Sequence, residues 1–330
     1  MADTLRPGSC KNMAMFGRVG AILESNMTAV CSAPSVSPAP LLTAVPTVRL
    51  SKYHGLGNDF LVMVVADGAD TPNDDAHAAL AIAACDRHRG IGADGLLLCA
   101  PSSDPDADLV MRLRNADGSL AEMSGNGIRC FVHAALDAGL ASPGEVRVAT
   151  DAGRRIVVVG APDATGVVQV EVGMGVVILD AVPIPVAVRS ALNGRRATTV
   201  TVGNPHIVIE ASPASIDLPS FGPLVEHWYL GTELRGINVE VIAPSATDPG
   251  TIDMAVWERG VGITQACGTG AVASAAVASV WGIASARTVV RQPGGDATVV
   301  FDGPNATLIG PSQFVCAADF AWPPAVVARR

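Results

Sequence analysis

Lysine is almost missing from this sequence. Lys11 and Lys52 are the only two among 22 basic residues, so arginine carries nearly all of the positive charge. Aromatic residues make up 4% and charged residues 16% of the 330-residue chain. Acidic residues number 31, which leaves a formal net charge of −9. That balance argues against nucleic acid or an anionic membrane surface as the main partner. Seven cysteines, an odd number scattered over a long chain, make no disulfide framework and point to a reducing, cytoplasmic setting. A membrane span is lacking too. The longest uncharged stretch, Gly260 to Ala286, opens on glycines and threonines, and its helix-compatible part from Ala271 to Trp281 is too short for a bilayer.

What the chain does have is apolar residues, 49% of the total, enough for a full core spread over about two domains. Residues 1–47 differ from the rest: Ser, Ala and Pro dominate Cys31 to Pro46, and apolar periodicity is absent. They read as a disordered extension or as a mis-started segment ahead of Met13, Met15 or Met27, a targeting peptide being the alternative. From Val48 onward, short β-like runs alternate with a few helical patterns. Strands are expected at Thr47–Tyr53, Phe60–Ala66, Leu96–Cys99 and Leu109–Arg114, with a hairpin turning at Asp151-Ala152-Gly153. A helix over Asp74–Cys85 follows the N-cap Asn73. Another begins after Ser124, where Ile128, Phe131, Val132, Ala135 and Leu136 form a helical stripe that Gly139 ends. The second half repeats the plan with strands at Thr199–Val202, Ile207–Glu210, Val239–Ile242 and Met254–Trp257. A helix to Trp281 and a hairpin at Gly294-Gly295 complete it. The pattern is α+β, mixed and mostly antiparallel, with one central helix per half.

The two halves share a motif. A shift of 143 residues lays Ser124-Gly125-Asn126-Gly127 over Cys267-Gly268-Thr269-Gly270, Gly139 over Gly282, and Asn115 over Glu258. Each half therefore sets a small polar side chain at the first turn of its central helix, followed by G-x-G. A helix start carries about half a positive charge and several unpaired N–H groups, which hold carboxylates and lower the pKa of a cysteine placed there. Glycines let the backbone approach a ligand closely. Two such ends facing each other present one acid–base group to each side of a bound carbon, the arrangement that inversion needs. Polar residues gather in the same stretches: Asn58 with Asp59, Asn115 with Asp117, Asn204 with His206, and Glu258 with Arg259. Arg259 suits a carboxylate, and the Asn and Glu side chains suit an ammonium, so the cluster fits a zwitterionic amino acid.

Ordered motifs carry a specific resemblance. They are Lys52-Tyr53-His54-Gly55-Leu56-Gly57-Asn58-Asp59-Phe60, Asp86-Arg87-His88-Arg89-Gly90-Ile91-Gly92-Ala93-Asp94-Gly95, and Arg114 to Ser119 leading into Ser124 to Cys130. Gly203-Asn204-Pro205-His206, Gly236-Ile237-Asn238-Val239, Trp257 to Gly260 and Thr264 to Ala271 follow. From Val48 to about Asp319 the chain resembles the diaminopimelate epimerases. The resemblance implies two pseudo-symmetric domains, each a mixed, mostly antiparallel sheet wrapped around a central helix, with the active site in the cleft between them. The first would comprise residues 48–166 plus a returning segment at 313–330, and the second residues 167–312. It implies interconversion of LL- and meso-diaminopimelate, a small-molecule amino-acid substrate, with no metal or other cofactor, often by a homodimer. It also implies substrate contacts from Asn58, Asn115, Asn204, Asn238, Glu258 and Arg259. The backbone of Gly125-Asn126 and Gly268-Thr269 would cradle the carboxylate, with Cys267 as one catalytic group and position 124 as the other.

The family places a second cysteine where this chain has Ser124. Cys130 lies six residues into the helix and does not substitute for it. A serine hydroxyl does not ionise usefully in water. Three readings stay open: an engineered trap that keeps substrate binding, a natural variant with a rewired proton donor, and a paralogue that binds or racemises another amino acid. A catalytically silent amino-acid-binding protein is the alternative from a different class. An isomerase of the phenazine type, with a carboxylate base, is a further one, against which stands the intact Cys267-Gly268-Thr269-Gly270.

Overall fold

The computed structural model describes residues 46–65, 73–121 and 123–322. The extension expected over residues 1–47 lies outside these save for its last two positions, and Ala66 lies outside them too. The segment expected to return at 313–330 is described as far as Trp322.

The architecture is mixed α/β and dominated by sheet. Strands β1 (Thr47–Gly55) and β2 (Asn58–Val64) precede helix α1 (Asp74–Cys85), and β3 (Gly95–Pro101), β4 (Leu109–Asn115) and β5 (Leu120–Ala121) follow it. Helix α2 (Gly125–Asp137) leads to β6 (Gly144–Thr150), β7 (Gly153–Val159), β8 (Val168–Val176) and β9 (Ile178–Leu179). Next come α3 (Val186–Leu192), β10 (Ala197–Thr201), β11 (Pro205–Glu210) and α4 (Leu218–Leu230). Strands β12 (Asn238–Pro244), β13 (Thr251–Glu258) and β14 (Gly262–Ile263) lead to α5 (Gly268–Val280). The described chain closes with β15 (Arg287–Gln292), β16 (Gly295–Asp302) and the long β17 (Asn305–Ala321).

The 17 strands join one hydrogen-bonded sheet, which closes on itself twice. One ring runs β1–β2–β3–β4–β6–β7–β8–β17 and back to β1, with β2–β3 and β4–β6 parallel. The other runs β10–β11–β12–β13–β15–β16–β17–β8, closed by β9 against β10, with β11–β12 and β13–β15 parallel. Strand β17 belongs to both, pairing with β8 over residues 305–312 and with β1 over residues 313–321.

Helix α2 packs against β1, β2, β8 and β17, and α5 against β10, β11, β13, β15 and β16. Each helix is thus lined by the strands of one ring. The stripe expected on α2 is only part of its buried surface, since every residue from Gly125 to Ala135 is buried, Arg129 and His133 included. Helix α5 meets the same demand with small side chains, Ala271, Ala273, Ala275, Ala276 and Ala278 among them, which let strands approach closely. Both helices share one core with the inward faces of the strands. On the outside, α1 rests Leu80, Ala81 and Ala84 on Leu61, Leu96 and Leu98. Helices α3 and α4 rest Val188, Leu192, Leu218 and Val225 on Ile207, Ile209, Val239 and Val241. Strand β3 shows the division: Leu96 and Leu98 face α1, while Leu97 and Cys99 face the core around α2.

The expected cap of α1 is present, with the Ala76 N–H donating to Asn73 Oδ1 at 2.9 Å. Both expected hairpins form, with Thr150 opposite Gly153 and Gln292 opposite Gly295. The expected central helix of each half is present as α2 and α5, and the helix expected over Asp74–Cys85 as α1; α3 and α4 are additional helices that the sequence did not lead us to expect. Pro223 inside α4 reads in a sequence as a breaker, yet the helix continues because burial of Leu218, Val225 and Tyr229 outweighs the lost hydrogen bond. Among the described residues no helix is long and apolar enough to cross a membrane.

Candidate active site

The site is built where the N-terminal ends of α2 and α5 meet. Ser124 caps α2 in an extended conformation (φ −136°, ψ 124°), and its Oγ accepts the Gly127 N–H at 3.0 Å. Cys267 caps α5 in nearly the same conformation (φ −124°, ψ 116°), and its Sγ accepts the Gly270 N–H at 3.3 Å. The residue after each cap is glycine for a shared reason. A methyl group on Gly125 would lie 3.4 Å from the Gly268 Cα, and one on Gly268 would lie 3.2 Å from the Gly125 Cα. The two helix ends touch backbone to backbone. By helix geometry the amides of Gly125, Asn126, Gly268 and Thr269 have no partner inside their own helices.

A cavity of about 740 Å³ opens at these ends, with Ser124, Gly125, Asn126, Cys267, Gly268 and Thr269 in its wall. Asn58, Asn115, Asn204, Glu258 and Arg259 complete it, so eleven of the twelve residues expected from the sequence line one space. Asn238 is the twelfth and stands behind the wall. Its Nδ2 donates to the Pro205 carbonyl at 3.0 Å and its Oδ1 accepts the Arg259 N–H at 2.9 Å. Asn238 therefore holds the two loops that carry Asn204 and Arg259. Cys130 is fully buried inside the core and does not reach the cavity.

The expectation that the helix end lowers the Cys267 pKa is corrected. Burial, reinforced by the nearby Glu258 and Glu240 carboxylates, holds the thiol well above its ordinary value, against the smaller pull of Thr269 and the Gly270 N–H. That shift favours the protonated thiol, a form that donates a proton. Burial also pushes the Glu258 carboxyl up, although Thr264 donates its hydroxyl to Glu258 Oε1. Arg259 is exposed, donates from its Nη1 to the Leu234 carbonyl at 2.8 Å, and lines the cavity.

Several residues support the site from behind; His206 and Asp59 stood out beside Asn204 and Asn58 in the sequence, whereas Glu240 and Glu226 did not. Glu240 and His206 are fully buried, with His206 Nδ1 2.7 Å from Glu240 Oε1 and Nε2 2.9 Å from Asn204 Oδ1. The Asn204 Nδ2 then points to Thr269 Oγ1 at 3.3 Å. A charged residue inside an apolar strand, two places after Asn238 and so on the same face, was the signal for Glu240. On the opposite wall Asp94 accepts from Asn58 Nδ2 at 2.5 Å, and Arg87 forks onto Asp59 at 2.6 and 3.1 Å. Lys52 adds a second cation 2.7 Å from Asp59. Burial works against ionisation of Asp59, yet Arg87 and Lys52 hold its carboxyl below the usual range. Glu226 of α4 braces the turn after β13, accepting the Trp257 Nε1–H at 2.7 Å and the Gly260 N–H at 2.9 Å.

Solved structures place this fold. A hydroxyproline epimerase from Agrobacterium vitis superposes with a TM-score of 0.63 at 17% identity, covering 84% of this chain and 93% of that one. A phenazine biosynthesis protein from Bacillus anthracis gives 0.63 at 15% identity, covering 83% and 98%. At such identities the likeness is one of fold, a mixed α/β architecture. Sequence goes further. The family model for diaminopimelate epimerase matches residues 50–179 and 198–315. The diaminopimelate epimerase of Rhodococcus opacus is 38% identical over 298 residues, covering 82% of this chain and 97% of that relative. That of Methanocella arvoryzae is 39% identical over 276 residues, covering 81% and 95%. The chain belongs to the diaminopimelate epimerase family.

Proposed function

We propose that the protein is an amino-acid epimerase that interconverts LL- and meso-2,6-diaminopimelate by moving the α-proton across the plane of the reacting carbon. The observation that carries this is the matched capping of two touching helix ends by Ser124 and Cys267 at one cavity. The substrate carboxylate sits on the free amides of Gly125, Asn126, Gly268 and Thr269, where the helix ends favour negative charge. The C–H bond then breaks, its electron pair spreads into the carboxylate, and a proton returns from the opposite face. Cys267, protonated in its buried setting, donates its proton to the carbon on one side and becomes the thiolate, and that thiolate takes the α-proton in the reverse direction. Ser124 faces the other side. Its hydroxyl oxygen takes the α-proton only as its own proton passes to solvent, and gives one back by the reverse relay, a slow exchange that limits turnover on that side. Glu258 and Arg259 with Asn58, Asn115 and Asn204 hold the amino and carboxyl groups of the substrate, and Asn238 positions their loops.

The finer architecture belongs to the same proposal. Residues 48–166 with the segment from 313, and residues 167–312, form two pseudo-symmetric domains, with the active site between them. The support is that each ring of strands has two parallel pairs at corresponding places and one central helix ending in a cap followed by G-x-G.

The test is α-hydrogen exchange in D₂O, started from each stereoisomer, on this chain and on Ser124→Cys. Exchange is expected to be slow and unequal between the isomers in this chain. In Ser124→Cys it should rise by on the order of 10²–10⁴ and become more even. Exchange from neither isomer in both proteins removes the epimerase assignment. Calorimetric binding without exchange would leave a silent binding protein.

A further inference from the structure

Arg129 is the one large cation with no access to solvent in the core around α2 among the described residues. It lies in the second turn of α2, and its side chain folds back toward the helix start, as long helical side chains do. There Nη2 donates to Asn126 Oδ1 at 2.8 Å and Nε to the Pro311 carbonyl at 3.2 Å. Nη1 is buried with no hydrogen-bond partner, and no carboxylate pairs with the guanidinium among the described residues. The surroundings are cut to fit it. A methyl group on Gly55 would lie 2.9 Å from Nη2, and one on Gly310 would lie 3.0 Å from Cζ. Burial pulls the Arg129 pKa down to about 10, which still leaves the group charged at neutral pH.

A buried charge without a counter-ion is costly, and structures keep one mainly where something compensates it. Asn126 is the link to the site. Its Oδ1 faces Arg129, and its Nδ2 donates to Asn58 Oδ1 at 3.1 Å and to the Ala266 carbonyl, just before Cys267, at 3.0 Å. The guanidinium therefore fixes which way the Asn126 amide points and adds a full positive charge behind the helix end that meets α5. We propose that Arg129 is a positioning residue whose buried charge makes the paired helix ends a seat for the substrate carboxylate, that carboxylate being its missing counter-ion. It stays off the cavity wall and touches the site through Asn126. The inference rests on the proposed epimerase reading for the identity of the anion, and it predicts further stabilisation as negative charge grows on the carboxylate during proton removal.

The test reads potential at the helix end without relying on turnover. In Ser124→Cys the introduced thiol is alkylated with anionic iodoacetate and with neutral iodoacetamide, and labelling at position 124 is followed by peptide mass mapping. The rate ratio is compared after adding Arg129→Gln, Arg129→Met or Arg129→Lys. The two neutral variants should lower the ratio about three- to tenfold, and Arg129→Lys should keep it within about twofold. An unchanged ratio in the neutral variants, or an equal fall in Arg129→Lys, overturns the proposal. If neither neutral variant folds, the ratio in Ser124→Cys itself decides, and a value no higher than at the exposed Cys316 overturns it. Failure of this chain to bind meso-diaminopimelate by calorimetry, with the ratios as expected, would instead sink the substrate reading and keep the anion seat.

Discussion

Ser124 and Cys267 stand in the same structural position, each an extended cap whose side chain takes the N–H three residues on, yet only one of them is a group that ionises in water. Both third helical positions are glycine where space is short: a methyl on Gly127 would lie 3.0 Å from the Ser124 Cβ, and one on Gly270 would lie 2.7 Å from Glu240 Oε1 and 3.2 Å from Cys267 Sγ. Serine is among the best helix caps, worth about 1 kcal/mol over a residue that cannot accept the N–H. Position 124 is therefore excellent as an end to a helix and weak as a base.

The neutral state of Cys267 is open to direct measurement. At pH 7.5 iodoacetamide should label the exposed Cys316 at least tenfold faster than the buried Cys267, as read by mass mapping over time. Glu258→Gln removes one of the carboxylates that hold the thiol up, so labelling of Cys267 should quicken and its apparent pKa should fall.

Gly125→Ala and Gly268→Ala separate stability from geometry. Alanine favours a helix over glycine by about 1 kcal/mol, so melting temperatures should change little. The added methyl must, however, push one helix end from the other and from Leu308 Cδ2, which lies 3.2 Å from it at position 125 and 3.0 Å at position 268. Isotope exchange should fall about 100-fold or more in both variants, since misplacement by a fraction of an ångström disrupts the reacting geometry.

Glu226→Gln should act on substrate binding. The carboxylate accepts hydrogen bonds at both oxygens, from Trp257 and from Gly260, and an amide can accept at only one. The turn bearing Glu258 and Arg259 then loses a brace worth about 1–2 kcal/mol. KM should rise roughly tenfold while kcat changes by less than a factor of about three.

Acid stability has a marked contribution from His77 of α1. Burial, helped by the Arg114 charge, lowers its pKa from 6.5 to about 4. The folded state therefore binds fewer protons than the unfolded state, and stability falls as the pH drops from 6.5 to about 4. The loss should total about 3 kcal/mol. Asp59 acts in a lower window, because its depressed pKa makes its contribution fade only below 3.8. Urea midpoints at pH 7 and pH 4.5 should differ less in His77→Leu than in the parent chain.

Much of this was legible from residues alone. The G-x-G motifs announced both helix starts because backbone contact between helices leaves room for nothing larger, and Asn115 and Glu258, aligned by the repeat, do line one cavity. Strand β8 escaped notice although Val168, Val170 and Val172 alternate with exposed Gln169 and Glu171. The supporting partners were harder. Glu240, His206, Asp94 and Arg87 reach the site only through pairings between strands or loops distant in sequence, and no local period encodes those. The Cys267 correction has the same origin: a helix end is a local property, whereas burial and the neighbouring Glu258 and Glu240 come from the folded chain.

The long last strand has a topological consequence. Thr47 lies directly opposite Ala321 in the antiparallel ladder of β1 and β17. A linker of a few residues would join these positions, so the molecule lends itself to circular permutation, with new termini at the exposed turn around Gly166. Such a permutant should keep both helix ends in contact, because the continuity of β17 through both rings, rather than the order in which the halves are synthesised, is what aligns them.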